Sequence, residues 1–237
     1  MTFTAYNITR PDHVRLTFFD LDNTLLASDS DYEWGRFLVD EAIVDPATYA
    51  QANDHFKAQY DAGALDIHAY QRFVLAPLIE QPARMEQLRQ RFVAERIAPV
   101  VAPHARAVVD FHQQRGDTVA IITATNRFVT APIAELLGIE HLIATDPEIV
   151  DGAYTGAIAG TPCYRDGKIV RAREFVAVQE RAYNAVTFYS DSHNDLPLLR
   201  WSDQPFAVDP DPTLAAAAQA AGWPIISFRG ESMPAIA

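Results

Sequence analysis

The sequence predicts an α/β fold: a Rossmann-like parallel sheet flanked by helices, with an α-helical cap inserted after the first strand. Three observations carry that expectation. Runs with the apolar, β-branched character of buried strands recur at Val14–Phe19, around Val119–Ile122 and at Ala185–Ser190, with helical periodicity between them. From Asp29 to about Pro99 no strong strand run appears, and long stretches read as amphipathic helix. Three strand candidates end in polar residues, and in open α/β sheets ligands bind outside the carboxyl ends of the strands.

Taken in order, Val14–Phe19 is the first strand. The segment YEWGRFLVDEAI puts Trp34, Phe37 and Leu38 at helical spacing. In DIHAYQRFVLAPLI, Asp66 caps a helix that Pro77 would distort or end. ARMEQLRQRFVAERI follows Pro82 and sets Met85, Leu88, Phe92 and Ile97 near one stripe. After Pro103 the alternation resumes. A helix near His104–Arg115 stops at Gly116, and DTVAIITA is a strand. Asn126 caps a helix running to Leu137 with Gly138 behind it, and His141–Ala144 is a short strand. The glycine-punctuated stretch GAYTGAIAGTPCYRDGKIV reads as hairpins, followed by a helix over Ala172–Tyr183. Strands at Ala185–Ser190, Pro205–Val208 and Pro224–Phe228 complete the sheet, the last two separated by an alanine-rich helix at Thr213–Ala221. The expected division is a core of residues 1–27 and 101–237 with a cap over 28–100.

Composition narrows the function classes. The chain has 237 residues, 49% hydrophobic and 21% charged, enough for one large domain or a domain with an insertion. Its apolar runs fall short of the ~20 residues that cross a bilayer. MTFTAYNITRPDH lacks a basic-then-apolar signal pattern, and the single cysteine, Cys163, excludes an internal disulfide. These features point to a cytoplasmic protein. The formal charge of −12 has the wrong sign for wrapping a nucleic acid backbone, so an anionic ligand must be held by a local device. Of 19 basic residues only Lys57 and Lys168 are lysine. The oligomeric state stays open.

The chemistry sits at the strand ends. The first strand runs into Asp20-Leu21-Asp22-Asn23-Thr24, the second into Thr123, and the third into Ser190-Asp191-Ser192-His193-Asn194-Asp195. Asp20 can attack phosphorus in line and form an aspartyl phosphate. Asp22, two residues on, can protonate the leaving oxygen and then activate water. Attack on carbon would need no such donor, so Asp22 favours phosphoryl chemistry. Asp20 and Asp191 facing a phosphate would repel by about 4 kcal/mol per charge pair at 4 Å. A cation is required, and hard oxygen ligands suggest Mg²⁺.

Alone, Asp-x-Asp-x-Thr would arise by accident in roughly one chain in ten. Four motifs in order say more. Asp20-x-Asp22-x-Thr24, the Thr123 hydroxyl, Lys168 and Asp191-x-x-x-Asp195 together resemble the signature motifs of the haloacid dehalogenase-like phosphohydrolases. The helical insert is similar to the cap of their phosphoserine phosphatase-like and histidinol-phosphatase-like branch. The resemblance implies Mg²⁺ held by the carboxylates of Asp20 and Asp191 and the carbonyl of Asp22, with Asp195 nearby or through water. It implies Lys168 neutralising the nucleophile and a phosphoryl oxygen. Thr123 and backbone amides after Asp20, reaching Thr24 and Ala124, would bind the remaining oxygens. Thr123-Ala124-Thr125 replaces the Ser-Gly-Gly common in that family, and Ser190-Asp191-Ser192 replaces Gly-Asp-Gly.

Plainer readings stand beside these. Asp191–Asp195 can be a loop with an N-cap, Lys168 a turn lysine, His193 a loop residue and Cys163 a packing residue. Asp29 and Asp31 either recognise an ammonium or imidazolium on an amino-alcohol phosphate such as phosphoserine or histidinol phosphate, or Asp31 caps the helix beginning near Tyr32. Arg36 and Arg127 are candidate anion contacts. The expected partner is a small phosphorylated metabolite. The alternatives are a phosphotransferase using the same aspartyl phosphate and a non-catalytic phosphate-ligand binding module.

Overall fold

The computed structural model describes residues 14–236; residues 1–13, which the sequence assigns to the core, lie outside it. The chain enters through β1 (Arg15–Phe19) and leaves the core through a single π-type turn over Leu21–Leu25. Four helices follow: α1 (Ser30–Asp40), α2 (Pro46–Asp61), α3 (Ile67–Glu80) and α4 (Pro82–Phe92). After α5 (Ala105–Gln114) come β2 (Thr118–Asn126), α6 (Arg127–Leu137) and β3 (His141–Thr145). A hairpin of β4 (Pro147–Val150) and β5 (Ala153–Ile158) precedes α7 (Asp166–Ala177). β6 (Ala185–Ser190), α8 (Leu196–Trp201), β7 (Gln204–Val208), α9 (Pro212–Ala221) and β8 (Ile225–Ile226) complete the chain.

Among the described residues the main sheet has six parallel strands in the order β3-β2-β1-β6-β7-β8. The order reverses at β1, the switch point beside which ligands bind. Register places Phe19 opposite both Ile121 and Tyr189, so β1 and β6 end almost together while β2 runs on to Asn126, carrying Thr123 and Thr125 past the end of β1. Because side chains alternate along a strand, Leu16 and Phe18 join one apolar cluster with Ala120, Ile122 and Phe188. Phe19 faces the opposite cluster, where its ring stacks on Tyr189 at 4.8 Å.

Helices α1–α4, between β1 and α5, form the cap, while α5 packs on the sheet. The two crossings run side by side, Ala27 N donating to Val100 O (2.7 Å) and Ala102 N to Leu25 O (2.9 Å). Trp34 of α1 seats the cap on the core, with edge contacts to Phe92 and to Phe128 of α6. On the far side Arg165 donates to Gly63 O (2.8 Å) and Asn194 Nδ2 to Tyr60 O (3.1 Å). The cap is therefore down over the strand ends.

Capping chemistry explains several boundaries. Asn126 accepts from Val129 N at the start of α6, and Gly138 ends it at φ +70, a left-handed conformation that favours glycine. Asp66 caps α3 as expected. Pro77 does not end that helix, which continues to Glu80 because Val74, Leu75 and Leu78 are buried along it. The expected helix over 172–183 begins instead at Asp166 and ends at Ala177. Ile169 and Val170 lend the segment a strand-like look, but Ile169, Ala172 and Phe175 pack under the sheet, Phe175 edge-on to Phe18. Among the described residues, no helix is long and apolar enough to cross a membrane.

Candidate active site

A cleft of about 610 Å³, its open mouth included, lies between the strand ends and the cap. From the core it is lined by Asp20, Asp22, Thr123, Ala124, Thr125 and Asp191. From the cap come Asp29, Asp31, Lys57, Tyr60 and Tyr70.

Each core residue is placed by a simple device. The β1 ladder carries Asp20 to its end, where Asp20 N donates to Tyr189 O (2.9 Å). The chain then turns sharply, Asn23 taking φ +56, a conformation asparagine tolerates. Arg229 secures the turn by donating to the carbonyl of Asn23. The turn swings Asp22 back over the strand end. There Asp22 Oδ1 accepts from Ser30 N (2.6 Å) and Oδ2 from Thr125 Oγ1 (2.8 Å).

Lys168 enters from the first turn of α7, pressed close by Gly167, where an added Cβ would stand 2.1 Å from Pro162 O. Its ammonium bridges Asp20 Oδ1 and Asp195 Oδ2, both at 2.7 Å. Ser190 Oγ donates to the same Asp195 oxygen (2.7 Å), while Asp195 Oδ1 is buried without a partner. Thr24, fully buried, donates to Asp191 Oδ1 (3.1 Å) and accepts from Asp191 N (3.0 Å).

The charge balance is lopsided, with one ammonium paired to Asp20 and Asp195 and a third carboxylate, Asp191, close to both. Burial, reinforced by Asp195 and Asp22 and opposed by Lys168, raises the Asp20 carboxyl to about 7. Asp191 is pushed well above its ordinary range by burial, then by Asp20 and Asp195. Burial alone would weaken the Lys168 ammonium, but Asp195 and Asp20 outweigh it and raise its pKa. The site holds surplus negative charge that an added cation would relieve.

Several expectations need correction. Thr24 spends its hydroxyl on Asp191 and does not face the cleft. Asp195 stands behind Lys168 and does not line the cleft, a placement that leaves only the indirect reach, through water, that the resemblance allows for it. Arg36 points to solvent beside Glu33 (3.7 Å). Arg127 pairs with Asp146 and donates to Leu142 O (3.0 Å), on a separate surface. Neither arginine lines the cleft: α1 turns Asp31 and Tyr32 towards it, and α6 contributes no lining residue. It is Asp29, not Asp31, that caps α1: its Oδ1 accepts from Asp31 N (3.1 Å) and Tyr32 N (3.0 Å).

Asp31 is left buried at the cap end of the cleft, 3.5 Å from Asn126 Nδ2. Burial, then the charges of Asp29 and Asp22, raise it well above the usual range, against a hydrogen bond from Tyr70. Burial and Asp22 raise Asp29 to about 6. His193 is a loop residue bonded through Nδ1 to Asp211 (2.9 Å). Cys163 is buried, its thiol pushed up to about 12 by burial.

Sequence reasoning missed the roles of Thr125, Ser190 and Tyr60. Thr125 lies two residues beyond Thr123, and strand alternation puts both on the cleft face. That signal was available. Tyr60 and Ser190 gain their places only through tertiary packing.

The family model of the haloacid dehalogenase-like hydrolases matches residues 17–200. A histidinol-phosphatase of Neisseria meningitidis serogroup C is 41% identical over 219 residues, covering 90% of this chain and 99% of the relative. The phosphoserine phosphatase SerB1 of Mycobacterium tuberculosis is 31% identical over 223 residues, covering 92% and 72%. The crystal structure of a protein of unknown function from Bordetella pertussis Tohama I superposes with TM-score 0.86 at 43% identity, covering 91% of this chain and 99% of that one. A phospho-aspartyl intermediate analogue of phosphoserine phosphatase superposes with TM-score 0.65 at 18% identity, covering 92% and 95%, and speaks to the fold alone. With these matches beside a capped parallel sheet whose motif residues meet at its strand ends, the chain belongs to the haloacid dehalogenase-like hydrolase family and is a phosphatase.

Proposed function

We propose that this phosphatase hydrolyses the phosphate monoester of a small amino alcohol that carries no carboxylate, histidinol phosphate being the first candidate. One observation carries the choice: the cap end of the cleft presents Asp29 and Asp31, while the one cation lining it among the described residues, Lys57, is ion-paired with Asp61 at 2.5 Å. Ammonium and imidazolium groups suit that wall. The carboxylate of phosphoserine would meet two acids and find no arginine lining the cleft. The name of the 41% identical relative agrees with this reading.

In the reaction, Lys168 holds Asp20 Oδ1 and leaves Oδ2 for in-line attack on phosphorus. As that bond forms, the ester P–O bond breaks and its electron pair goes to the leaving alkoxide. Asp22 supplies the proton. A water then attacks the aspartyl phosphate, giving its proton to Asp22 while the bond to Asp20 breaks. Thr123 offers a hydroxyl to a phosphoryl oxygen, and Ala124 sets the width of the cleft beside it. The cap, down over the cleft, narrows the access of bulk water to its open mouth.

The donor set fits Mg²⁺. Asp20 and Asp191 are carboxylates facing one cleft, each raised by burial and by the neighbouring acids. Among the described residues no group of three His, Cys, Asp or Glu side chains is placed to hold a metal ion, so the fit rests on these two and on backbone oxygen. Mg²⁺ takes one or two carboxylates and keeps waters. Asp20, Asp191 and the Asp22 carbonyl would hold it, and when bound it supplies charge neutralisation at the phosphoryl oxygens. The inert, buried Cys163 suits a reducing, cytoplasmic setting.

The test is phosphate release with Mg²⁺ from histidinol phosphate, phosphoethanolamine, phosphoserine and p-nitrophenyl phosphate. Histidinol phosphate should exceed phosphoserine in kcat/KM by about 100-fold, the order expected when a charged group is buried without a partner. Asp31→Asn should raise KM for histidinol phosphate about tenfold and leave the p-nitrophenyl ester unchanged, as for loss of one charge-assisted bond. A preference for phosphoserine would overturn the substrate reading. Full activity in Asp20→Asn would overturn the nucleophile.

A further inference from the structure

Asp22 receives one hydrogen-bond donor on each carboxylate oxygen, and the two donors come from different parts of the molecule. Ser30 N, at the first residue of α1, reaches Oδ1 (2.6 Å) from the cap, and Thr125 Oγ1 reaches Oδ2 (2.8 Å) from core strand β2. Thr123 lies on the same strand face but is only marginally placed, its Oγ1 3.5 Å from Asp22 Oδ2. Thr123 Oγ1 also accepts from Thr125 N (3.2 Å), which leaves the neighbouring hydroxyl to hold the acid. Thr125 is 4% exposed, which limits the room its side chain has to turn away from Asp22. A carboxylate gripped at both oxygens has its plane and direction set before substrate arrives, and geometry is the first requirement of a proton donor.

We infer that Thr125 is a positioning residue: it orients Asp22 for proton transfer to the leaving alcohol and from the attacking water, and does not itself contact substrate. The inference rests on Asp22 being the acid and base of the reaction. A positioned acid matters in proportion to how poor the leaving group is. An alkyl phosphate must have its departing oxygen protonated. A p-nitrophenolate departs unaided, so its release in the first turnover needs no proton from Asp22. Water attack on the aspartyl phosphate needs the base whichever ester was used.

Thr125→Val keeps the shape and removes only the hydroxyl. It should lower kcat for alkyl phosphates about tenfold with KM within about twofold, a fraction of the 10²–10⁴ a general acid supplies. The first-turnover burst of p-nitrophenol should keep its rate, while steady-state turnover of that ester falls. Thr125→Ser should restore both. Thr125→Ala serves the same comparison if the valine variant does not fold by circular dichroism. A change confined to KM would make Thr125 a substrate contact and overturn the inference. An equal loss in the aryl burst would make its role merely structural, and unchanged kinetics would give it none. Asp22→Asn separates the two levels. If it retains alkyl phosphatase activity, the reading of Asp22 has failed; if it loses activity while Thr125→Val does not, only the inference about Thr125 has.

Discussion

Lys168 Nζ stands 2.7 Å from Asp195 Oδ2, and both side chains are 1% exposed. The pair does not satisfy itself, because the same ammonium is shared with Asp20. The lysine is a compact charge wedged between two acids, a place a planar guanidinium does not fit.

Removing that charge should therefore act on stability as well as rate. Lys168→Met leaves two buried carboxylates unpaired, a loss on the order of 3–5 kcal/mol at pH 8 without Mg²⁺. The loss should shrink at pH 5, because Asp20 already titrates at about 7 and takes up a proton there. Urea unfolding at the two pH values measures the difference. An equal loss at both would mean the acids are not the origin. Lys168→Arg should fold less stably by about 2 kcal/mol through overpacking and lose most activity.

Asp29 gives a second pH dependence, with its own sign. Its carboxyl is raised to about 6 in the folded protein against an ordinary 3.8. Between those values the native state binds a proton that the unfolded chain has released, so stability falls as pH rises from about 4 to about 6. Asp29→Asn removes that slope, on the order of 2 kcal/mol given the open mouth of the cleft. It keeps the cap of α1, since asparagine caps as well as aspartate. The variant should be flatter than the parent in a pH series of thermal melts. A parallel displacement of the whole curve would show that Asp29 contributes through the cap alone.

What could be read in advance follows from where the information lies. Asp20, Asp22 and Asp191 were visible because a strand end is a local feature, and three of them imply a meeting place. Asn126 and Gly138 announced the two ends of α6 for the same reason. Lys168 was placed in the right chemistry but the wrong element. Its flanking glycine and following Ile169-Val170 favour a strand locally, and only burial of Ala172 beneath the sheet makes a helix there. Arg36 and Arg127 show the limit in reverse. Nothing in sequence says which face of α1 turns from the cleft, or that α6 stays out of it. The exchange of the capping role from Asp31 to Asp29 is a shift of two residues at a helix start, yet it leaves Asp31 buried at the cleft wall.

The turn that delivers Lys168 depends on Gly167. A Cβ there would approach Pro162 O to 2.1 Å, and backbone cannot yield as a flexible side chain does. Gly167→Ala should cost roughly 1–3 kcal/mol by overpacking. Displacing the turn also moves Lys168 from Asp20, so activity should fall further than stability does. A variant with reduced melting temperature but full kcat would show that the lysine finds its place independently of the turn.

The amide of Ser30 offers the sharpest view of how the cap joins the chemistry. It is the first residue of α1, so its N–H belongs to no helical hydrogen bond and is spent wholly on Asp22. Proline is favoured at that position, and Asp29 before it already has the extended backbone (φ −97, ψ 110) that a following proline requires. The Ser30 hydroxyl has no partner to lose. Ser30→Pro thus deletes one donor to the acid while leaving the helix its geometry. It should reduce kcat for alkyl phosphates about tenfold, as expected for a misaligned general acid, with the thermal melt reporting that the cap still packs. Combined with Thr125→Val, the loss should exceed the sum of the two in free energy, because each donor partly compensates for the other. Strict additivity in that double-mutant cycle would mean the cap contact and the strand contact act on separate steps.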